Sequence, residues 1–427
     1  MDVLITPVGS AGDNYPFIGL GTELARRGHR VSVLTNDHFA PIVRGLGLEF
    51  ISTGTDEEYR RVINNPDIWH PRKGFKHIMA GLGEVNGRLF DLIRPRIDNQ
   101  TLIVAGTLDF ASRTIAEKEG IPAVVTLHLS PSIPRTLYQV PTLTGTTNLS
   151  RLPRFLKRAM WKVVDWYLIN PNVAPILDAL RARVGLAPDR KVFDRAIHSP
   201  LLTVGMWPEW FAPTQPDCPP FFKLTGFPLF DAPDAQPMPP DVADFCQAGD
   251  PPLVFTPGSA NIHGHEFFQA AVDAARLLDR RALLLTRFAD QIPADLPPTV
   301  RHVPFAPFTQ LLPRCAALVH HGGIGTTSAA LAAGIPQLIM PLSHDQPDNA
   351  ARVIALNAGD RLMPKHFRGT AVAKILSRLL ESPDVKAACA LAAQRCAARD
   401  ALRETADRIE SAIKPAAART ADYISAS

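Results

Sequence analysis

The sequence predicts an α/β protein built from two doubly wound, parallel-sheet domains that face each other across a cleft. Three observations indicate this fold class. The chain has 427 residues, more than one hydrophobic core normally supports. Short apolar runs alternate with helical stretches, which is typical of parallel sheets with helical crossovers. A proline-rich segment at 231–252 separates these runs into two series, and its composition favours an interdomain linker.

The first series predicts an N-terminal domain over 1–230, followed by a linker over 231–250. Its predicted strands are Val3–Thr6, Val31–Thr35, Leu102–Ala105, Ala123–Leu127 and Leu201–Val204. A helix from about Tyr15 to Arg27 is expected to end at Gly28, because glycine accepts the left-handed conformation of a helix C-cap.

The second series predicts a C-terminal domain over 251–398. Its predicted strands are Leu253–Thr256, Ala282–Thr286, Val300–Val303, Ala316–Val319 and Gln337–Met340, with helices at about 264–278, 324–333, 347–356 and 370–382. Alanine-rich terminal helices over 384–413 and a poorly ordered tail over 414–427 are expected to follow. We expect residues 399–427 to pack back on the N-terminal domain. Ligands of such sheets bind beyond the carboxyl ends of the strands.

Composition narrows the class of protein. No apolar run reaches the roughly 18–20 residues that a membrane span needs, and the first residues enter a strand without the basic segment of a secretory signal. The five cysteines are odd in number and show no CxxC spacing, which predicts reduced cytoplasmic thiols and neither disulfides nor a zinc site. A net charge of +4 suits anionic small molecules or an anionic membrane surface, and is too diffuse for nucleic acid.

The segment His-His-Gly-Gly-Ile-Gly-Thr-Thr over 320–327 follows an apolar strand and opens a helix. Such a junction presents free backbone N–H groups and a positive helix end to an anion. We expect His320 to donate a hydrogen bond to a phosphate there, although a buried histidine satisfied by the backbone is the alternative. For His321 a structural role is equally favoured.

The next strand ends in a segment that contains Asp345 and Gln346, a carboxylate and an amide suited to sugar hydroxyls. The alternative is that this pair caps the helix starting near Pro347. A diphosphate site beside a sugar site describes a nucleotide sugar. The sequence therefore predicts that the second domain binds one.

The first loop, over 6–16, carries Gly12 and Asp13. Its glycines make a candidate nucleotide contact, although the GxGxxG spacing fails. Asp13 is placed either to cap the first helix or to act as a general base for an acceptor hydroxyl.

Two further loops of the second domain are candidate donor contacts. Gly258 and Ser259 are expected to contact a phosphate oxygen through a backbone N–H and a hydroxyl. Phe305 is expected to pack against a base, and an ordinary strand exit closed by proline is the alternative. Apart from these loops, the stretch 151–169 predicts a basic, aromatic helix. It is expected either to lie at a membrane interface or to roof an acceptor pocket.

Taken together, these motifs resemble those of the family-one glycosyltransferases of GT-B architecture, which have two Rossmann-like domains, and the resemblance covers nearly the whole chain. The stretches that carry it are HHGGIGTT with PLSHDQ, and GSAGDNYPFIGLG, the N-terminal motif of the bacterial branch that includes antibiotic and sterol enzymes. Subgroup stretches are most similar to the rhamnosyltransferases of rhamnolipid synthesis. They are IAEKEGIP at 115–122, HSP at 198–200, WFAP at 210–213, TGFPLFD at 225–231, and GGIG with LAAGIPQ.

The resemblance implies inverting, metal-independent transfer of a hexose, glucose or rhamnose, from UDP-glucose or dTDP-rhamnose to a hydroxyl of an apolar acceptor. That acceptor is a lipid, a hydroxy fatty acid or a small aglycone. The resemblance also places Asp13 at the position of the catalytic base and Asp109 at the family's second acidic position. The implied donor contacts are Gly12, Gly258, Ser259, Phe305, His320, Gly322, Gly323, Gly325, Thr326, Asp345 and Gln346. No cofactor or metal is implied.

One departure concerns the nucleotide. Plant members carry a glutamate that holds the ribose hydroxyls, where this chain has Ser328. The departure leaves room for dTDP beside UDP. A nucleotide-sugar 2-epimerase of the same architecture and a non-catalytic nucleotide-sugar-binding protein remain alternative functions. A cytoplasmic location, with peripheral contact at the inner membrane face through 151–169, is expected.

Overall fold

The computed structural model describes residues 1–69, 74–121, 123–142, 149–231, 237–258 and 264–413. The predicted phosphate contact Ser259, linker residues 232–236 and the predicted tail 414–427 lie outside the described residues.

The N-terminal half forms a sheet of seven parallel strands in the order β3-β2-β1-β4-β5-β6-β7. The strands are β1 (Asp2–Thr6), β2 (Arg30–Thr35), β3 (Glu49–Ser52), β4 (Thr101–Gly106), β5 (Ala123–His128), β6 (Leu202–Gly205) and β7 (Phe222–Leu224). The order reverses between β1 and β4, so the loops that follow these two strands open a crevice at the carboxyl edge.

The C-terminal half repeats the pattern with six parallel strands in the order β10-β9-β8-β11-β12-β13. They are β8 (Leu253–Thr256), β9 (Ala282–Leu285), β10 (Val300–Val303), β11 (Ala317–His320), β12 (Gln337–Ile339) and β13 (Gly359–Arg361). The predicted α/β class with two doubly wound sheets is confirmed.

Helices connect and cover both sheets. In the first half they are α1 (Ala11–Arg26), α2 (Ala40–Gly45), α3 (Asp56–Ile63), α4 (Gly74–Ile93), α5 (Phe110–Glu119), α6 (Arg154–Val164), α7 (Asn170–Asn172) and α8 (Ala174–Arg183). In the second they are α9 (Pro240–Gln247), α10 (His265–Leu277), α11 (Phe308–Leu311), α12 (Ile324–Ala333), α13 (Gln346–Ala355), α14 (Gly369–Glu381), α15 (Pro383–Ala397) and α16 (Ala401–Ile413). No described helix is both long and apolar enough to cross a membrane.

The final helix, α16, lies against α1. Ala406 and Ile409 of α16 belong to the same apolar cluster as the strands of the first sheet. Arg27, which follows α1, pairs with Asp407 at 2.7 Å and with Glu410 at 3.0 Å. The end of the described chain thus returns to the first sheet, while the domain limits given above stay a prediction.

Candidate active site

Asp13 lies beyond the carboxyl end of β1, in the first turn of α1. Its Oδ2 accepts hydrogen bonds from the Ser10 backbone N–H at 2.8 Å and from the Ser10 hydroxyl at 3.0 Å. Ser10, and not Asp13, is the N-cap of the helix. The predicted helix start at Tyr15 was therefore four residues late, because this reciprocal pairing begins the helix before Pro16.

The pKa of Asp13 is raised to about 6. Burial is the main cause, the Ser10 hydrogen bonds oppose it, and the nearby negative charge of Asp345 raises the pKa further. Oδ1 makes no hydrogen bond to any described residue. At neutral pH, Asp13 is thus an ionised carboxylate with one oxygen committed to Ser10 and the other able to accept a proton.

Gly9 leaves the space that the Asp13 carboxylate occupies. Its φ is +142°, and a Cβ atom there would lie 2.2 Å from Asp13 Oδ2, so only glycine fits without displacing the carboxylate. Gly12, a predicted donor contact, is exposed in the first turn of α1. Its donor contact stays a prediction.

Asp109 serves as the N-cap of α5. It is buried, accepts a hydrogen bond from the Ser112 backbone N–H at 2.9 Å, and accepts another from the Thr6 hydroxyl at 2.5 Å. Burial raises its pKa. No described hydrogen bond joins Asp109 to Asp13, so the geometry gives Asp109 a helix-capping role that ties α5 to β1.

His320 ends β11 and is fully buried. Its Nδ1 accepts a hydrogen bond from the Gly322 N–H at 3.1 Å, so its Nε2 carries the proton and donates to Gln337 Oε1 at 2.9 Å. Burial lowers the pKa of His320 to about 3, which keeps the ring neutral. Both ring nitrogens are engaged in this structure, which favours the structural alternative for His320, while its contact with a phosphate stays a prediction.

The next residue, His321, lies between two loops that contain glycine. Its ring lies between Gly258 and Gly323. A Cβ atom added to Gly258 would lie 2.7 Å from His321 Cε1, and one added to Gly323 would lie 2.6 Å from His321 Nε2. His321 Nδ1 is buried without a hydrogen-bond partner among the described residues, and burial lowers its pKa to about 4. A neutral ring with an unpaired nitrogen, held between two glycine loops, is suited to a ligand oxygen.

The turn after β11 leads directly into α12. Gly323 is its N-cap, so the N–H groups of the first turn, which includes Gly325 and Thr326, have no partner within the helix. Gly322 has a φ of +95°, and a Cβ there would lie 2.7 Å from Ile339. Glycine at 322 therefore lets the chain turn sharply and aim these N–H groups along one direction, as an anion requires.

Asp345 follows β12 and reaches toward the first domain. Its Oδ2 accepts from Asn349 Nδ2 at 2.9 Å, and its carboxylate faces the Ser130 side chain, which follows β5. Burial raises the pKa of Asp345. Asn349 Nδ2 also donates to the Gly322 carbonyl at 2.9 Å, which couples the predicted sugar carboxylate to the turn before α12.

Gln346 is buried and braces the loop before it. Its Oε1 accepts from the N–H groups of Leu342 at 2.7 Å and Ser343 at 3.1 Å. The carbonyl oxygen is thus committed to the loop, which is closer to the structural alternative, and only the amide nitrogen is open to a sugar hydroxyl.

Comparison with known proteins decides the family. The chain is 30% identical to the O-mycaminosyltylonolide 6-deoxyallosyltransferase of Streptomyces fradiae, over 85% of this chain and 86% of that protein. The chain belongs to the GT-B glycosyltransferases. Residues 3–137 match the glycosyltransferase family 28 N-terminal domain, and residues 273–412 match the erythromycin biosynthesis protein CIII-like C-terminal domain.

Solved structures show the same fold. The glycotransferase of kitacinnamycin superimposes with a TM-score of 0.73 at 20% identity, covering 96% of this chain and 99% of that one. The glycosyltransferase VinC, solved in complex with dTDP, gives a TM-score of 0.67 at 22% identity over 97% of this chain and 100% of that one. The predicted GT-B fold and glycosyltransferase activity are confirmed.

In this glycosyltransferase, Arg287 bridges the cleft from the second domain. It follows β9, its positive charge acts on the Tyr15 side chain of α1, and its guanidinium lies 5.9 Å from the centre of the Phe305 ring. The predicted base contact Phe305 therefore stands at the cleft beside a cation. A second crossing joins the Thr142 N–H to Asp348 Oδ1 at 2.8 Å.

Sequence reasoning missed several residues of this glycosyltransferase site. Tyr59, from α3, stacks on His38 with ring centres 4.5 Å apart and lies close enough to Asp13 to feel its charge. Burial raises the pKa of Tyr59 to about 12. Tyr59, Ser130 and Arg287 lie outside any recognisable motif, and only the fold brings them beside Asp13 and Asp345.

Proposed function

We propose that this glycosyltransferase transfers a hexose, glucose or rhamnose, from a nucleoside-diphosphate sugar to a hydroxyl of an apolar acceptor, by an inverting, metal-independent single displacement. The observation that carries the proposal is that Asp13, after β1 of the first sheet, and Asp345, after β12 of the second, both follow the carboxyl ends of strands, while the Thr142–Asp348 hydrogen bond at 2.8 Å joins the two halves close to Asp345. An acceptor on one side and a sugar donor on the other would meet between them.

The acceptor half of the reaction is assigned to Asp13. Asp13 Oδ1 takes the proton of the acceptor hydroxyl while the oxygen of that hydroxyl forms a bond to the anomeric carbon of the sugar. Ser10 holds Oδ2 and so fixes the carboxylate's orientation. Asp109 is assigned no chemical step, because its hydrogen bonds hold α5 and β1.

The donor half is assigned to the turn before α12. As the anomeric carbon–oxygen bond breaks, the electron pair goes to the nucleoside diphosphate, whose negative charge the first-turn N–H groups of α12 and His321 would stabilise. Asp345 and the Gln346 amide nitrogen would bind sugar hydroxyls. Contacts across the cleft, such as that of Arg287 with Tyr15, help exclude water that would otherwise hydrolyse the donor.

We infer a preference for dTDP over UDP. Ser328 is buried and its hydroxyl donates to the Gly325 carbonyl at 2.9 Å, so the position offers a ribose no carboxylate. A 2′-deoxyribose has one hydroxyl fewer to satisfy. The complex of VinC with dTDP supports the same preference.

The acceptor is assigned by class. The resemblance of the subgroup stretches favours a lipid or hydroxy fatty acid, and relatives such as the vancomycin aglycone glucosyltransferase of Amycolatopsis orientalis favour a small aglycone. Both are apolar molecules with a hydroxyl. The proposal includes a cytoplasmic location with peripheral contact at the inner membrane face.

Thermal unfolding with dTDP, UDP, dTDP-rhamnose and UDP-glucose tests the donor assignment. A ligand that binds only the folded chain raises its unfolding midpoint, so dTDP compounds are expected to raise it more than UDP compounds at equal concentration. A larger shift with the UDP compounds would overturn the preference.

NMR of the nucleotide sugars incubated with the protein, without acceptor, separates the glycosyltransferase from the two alternative functions. Epimerised sugar indicates a nucleotide-sugar 2-epimerase. A chain that releases no nucleoside diphosphate with any hydroxylated acceptor is only a binder.

A further inference from the structure

Helix α6 and the π-helical turn Asp165–Ile169 that extends it expose an apolar surface. Along them, Phe155 is 68% exposed, Val163 59%, Trp166 73% and Tyr167 75%. Leu156 is also exposed. Large apolar side chains usually lie inside a protein, so a group of them on one solvent-facing side calls for a binding partner.

These side chains share one face of the helix. At about 100° per residue, positions 155, 156, 163, 166 and 167 fall within an arc of about 120°. We call this group the α6 face. The opposite side of the helix is fastened to its own domain: Lys157 Nζ donates to the carbonyls of Leu137 and Tyr138 at 3.1 Å each. The α6 face is therefore held outward, and no described residue covers it.

Positive charge borders the α6 face. Its basic neighbours are exposed: Arg151, Arg154, Arg158 and Lys162. The one acidic residue between 151 and 169 is Asp165, which pairs with Arg135 at 2.6 Å and so contributes little free negative charge. The chain's net charge is only +4, so this concentration of cations is local.

We propose that the α6 face docks the protein on an anionic lipid bilayer. Tryptophan, tyrosine and phenylalanine side chains insert at the boundary between headgroups and acyl chains, while lysine and arginine pair with anionic headgroups. A protein partner would be recognised by direct hydrogen bonds at a polar rim. The exposed charged residues between 151 and 169 are positive, and the one acidic residue there, Asp165, is ion-paired, so the α6 face is complementary to an anionic surface.

Docking there is linked to the active site through one loop. Trp161 Nε1 donates to the Thr136 carbonyl at 3.4 Å, and the loop after β5 that holds Thr136 also carries Ser130, which lies beside Asp345. Helix α6 is therefore attached to a loop that reaches the cleft. The docking itself holds for any acceptor.

Flotation of the full chain with lipid vesicles tests the proposal. The wild-type chain is expected to bind phosphatidylcholine vesicles that contain phosphatidylglycerol about tenfold more strongly than vesicles of phosphatidylcholine alone, with the difference falling as salt rises. The double variant Phe155→Ser, Trp166→Ser and the charge variant Arg158→Glu, Lys162→Glu should each weaken binding about tenfold. Leu277→Ser, at an equally exposed position on α10, is the control and should bind as wild type.

Three results would overturn the docking proposal, and the first two concern vesicle binding. One is a wild-type chain that ignores anionic vesicles; the other is a Phe155→Ser, Trp166→Ser variant that binds them as tightly as wild type. If light scattering instead shows a wild-type dimer that this variant dissociates, the α6 face joins two copies and the bilayer assignment fails. Transfer to a water-soluble acceptor should be unchanged in every variant. If neither the wild type nor any variant transfers sugar, the result counts against the proposed function and leaves the docking result unaffected.

Discussion

Asp13→Asn is expected to lower kcat for sugar transfer by about 10³-fold, because an amide cannot take the proton of the acceptor hydroxyl. The variant keeps an oxygen that can accept the Ser10 hydrogen bonds, so the start of α1 should stay folded. Donor binding should change by less than about twofold, since the proposed donor contacts belong to the other domain. Steady-state kinetics with calorimetric titration of the donor measure both quantities.

Asp109→Asn is the matched control. Its carboxylate is also buried and also begins a helix, yet its hydrogen bonds go to Thr6 and Ser112, so kcat should fall by less than about fivefold. In the wild type, transfer should decline as the pH falls through about 6, where Asp13 takes up a proton. A variant at Asp13 that turns over like the wild type would remove this residue as the base.

His321→Ala is expected to lower kcat by about 10²-fold, the usual cost of removing one donor that stabilises a developing negative charge. The ring packs between two glycine loops but makes no hydrogen bond to a described residue through Nδ1, so its loss should lower the unfolding midpoint less than His320→Ala does. Kinetics and thermal unfolding of the same preparation give the two readings. His321→Gln, which keeps a side-chain N–H, should recover part of the lost rate.

His320→Ala separates the neighbouring histidines. Removing this ring leaves the Gly322 N–H and Gln337 Oε1 unpaired in the interior, which should lower the free energy of unfolding by about 1–3 kcal/mol. If His320→Ala were fully stable while His321→Ala kept the wild-type rate, the roles given to the two histidines would be reversed.

The fold was largely predictable because its central strands are continuous apolar runs. Predicted strands such as Leu253–Thr256 and Val300–Val303 agree with the structure to the residue. The strands that were missed lie at or near sheet edges. β13, for example, is Gly359–Arg361, a stretch with no apolar residue. Such strands pair through their backbone and leave little trace in a hydropathy pattern.

The sequence indicates which loops form the candidate site more clearly than it indicates which side-chain atoms in them face a ligand. The prediction that the turn over 320–327 binds an anion stays a prediction, and the choice between His320 and His321 depends on which ring the strand buries. Because side chains alternate along a strand, one residue of register decides between a structural histidine and one that faces the cleft. Gln346 is a similar case, since nothing in its sequence context shows that the N–H groups of Leu342 and Ser343 hold its oxygen.

The central claim concerns the direction of attack on the anomeric carbon. The acceptor oxygen, activated by Asp13, attacks this carbon on the face opposite to the nucleoside diphosphate and displaces it in one step. The anomeric configuration of the product, measured by NMR against that of the donor, tests this claim most directly. A single displacement predicts a glycoside of inverted configuration as the sole product of the wild-type chain. A product that retains the donor's configuration would contradict it.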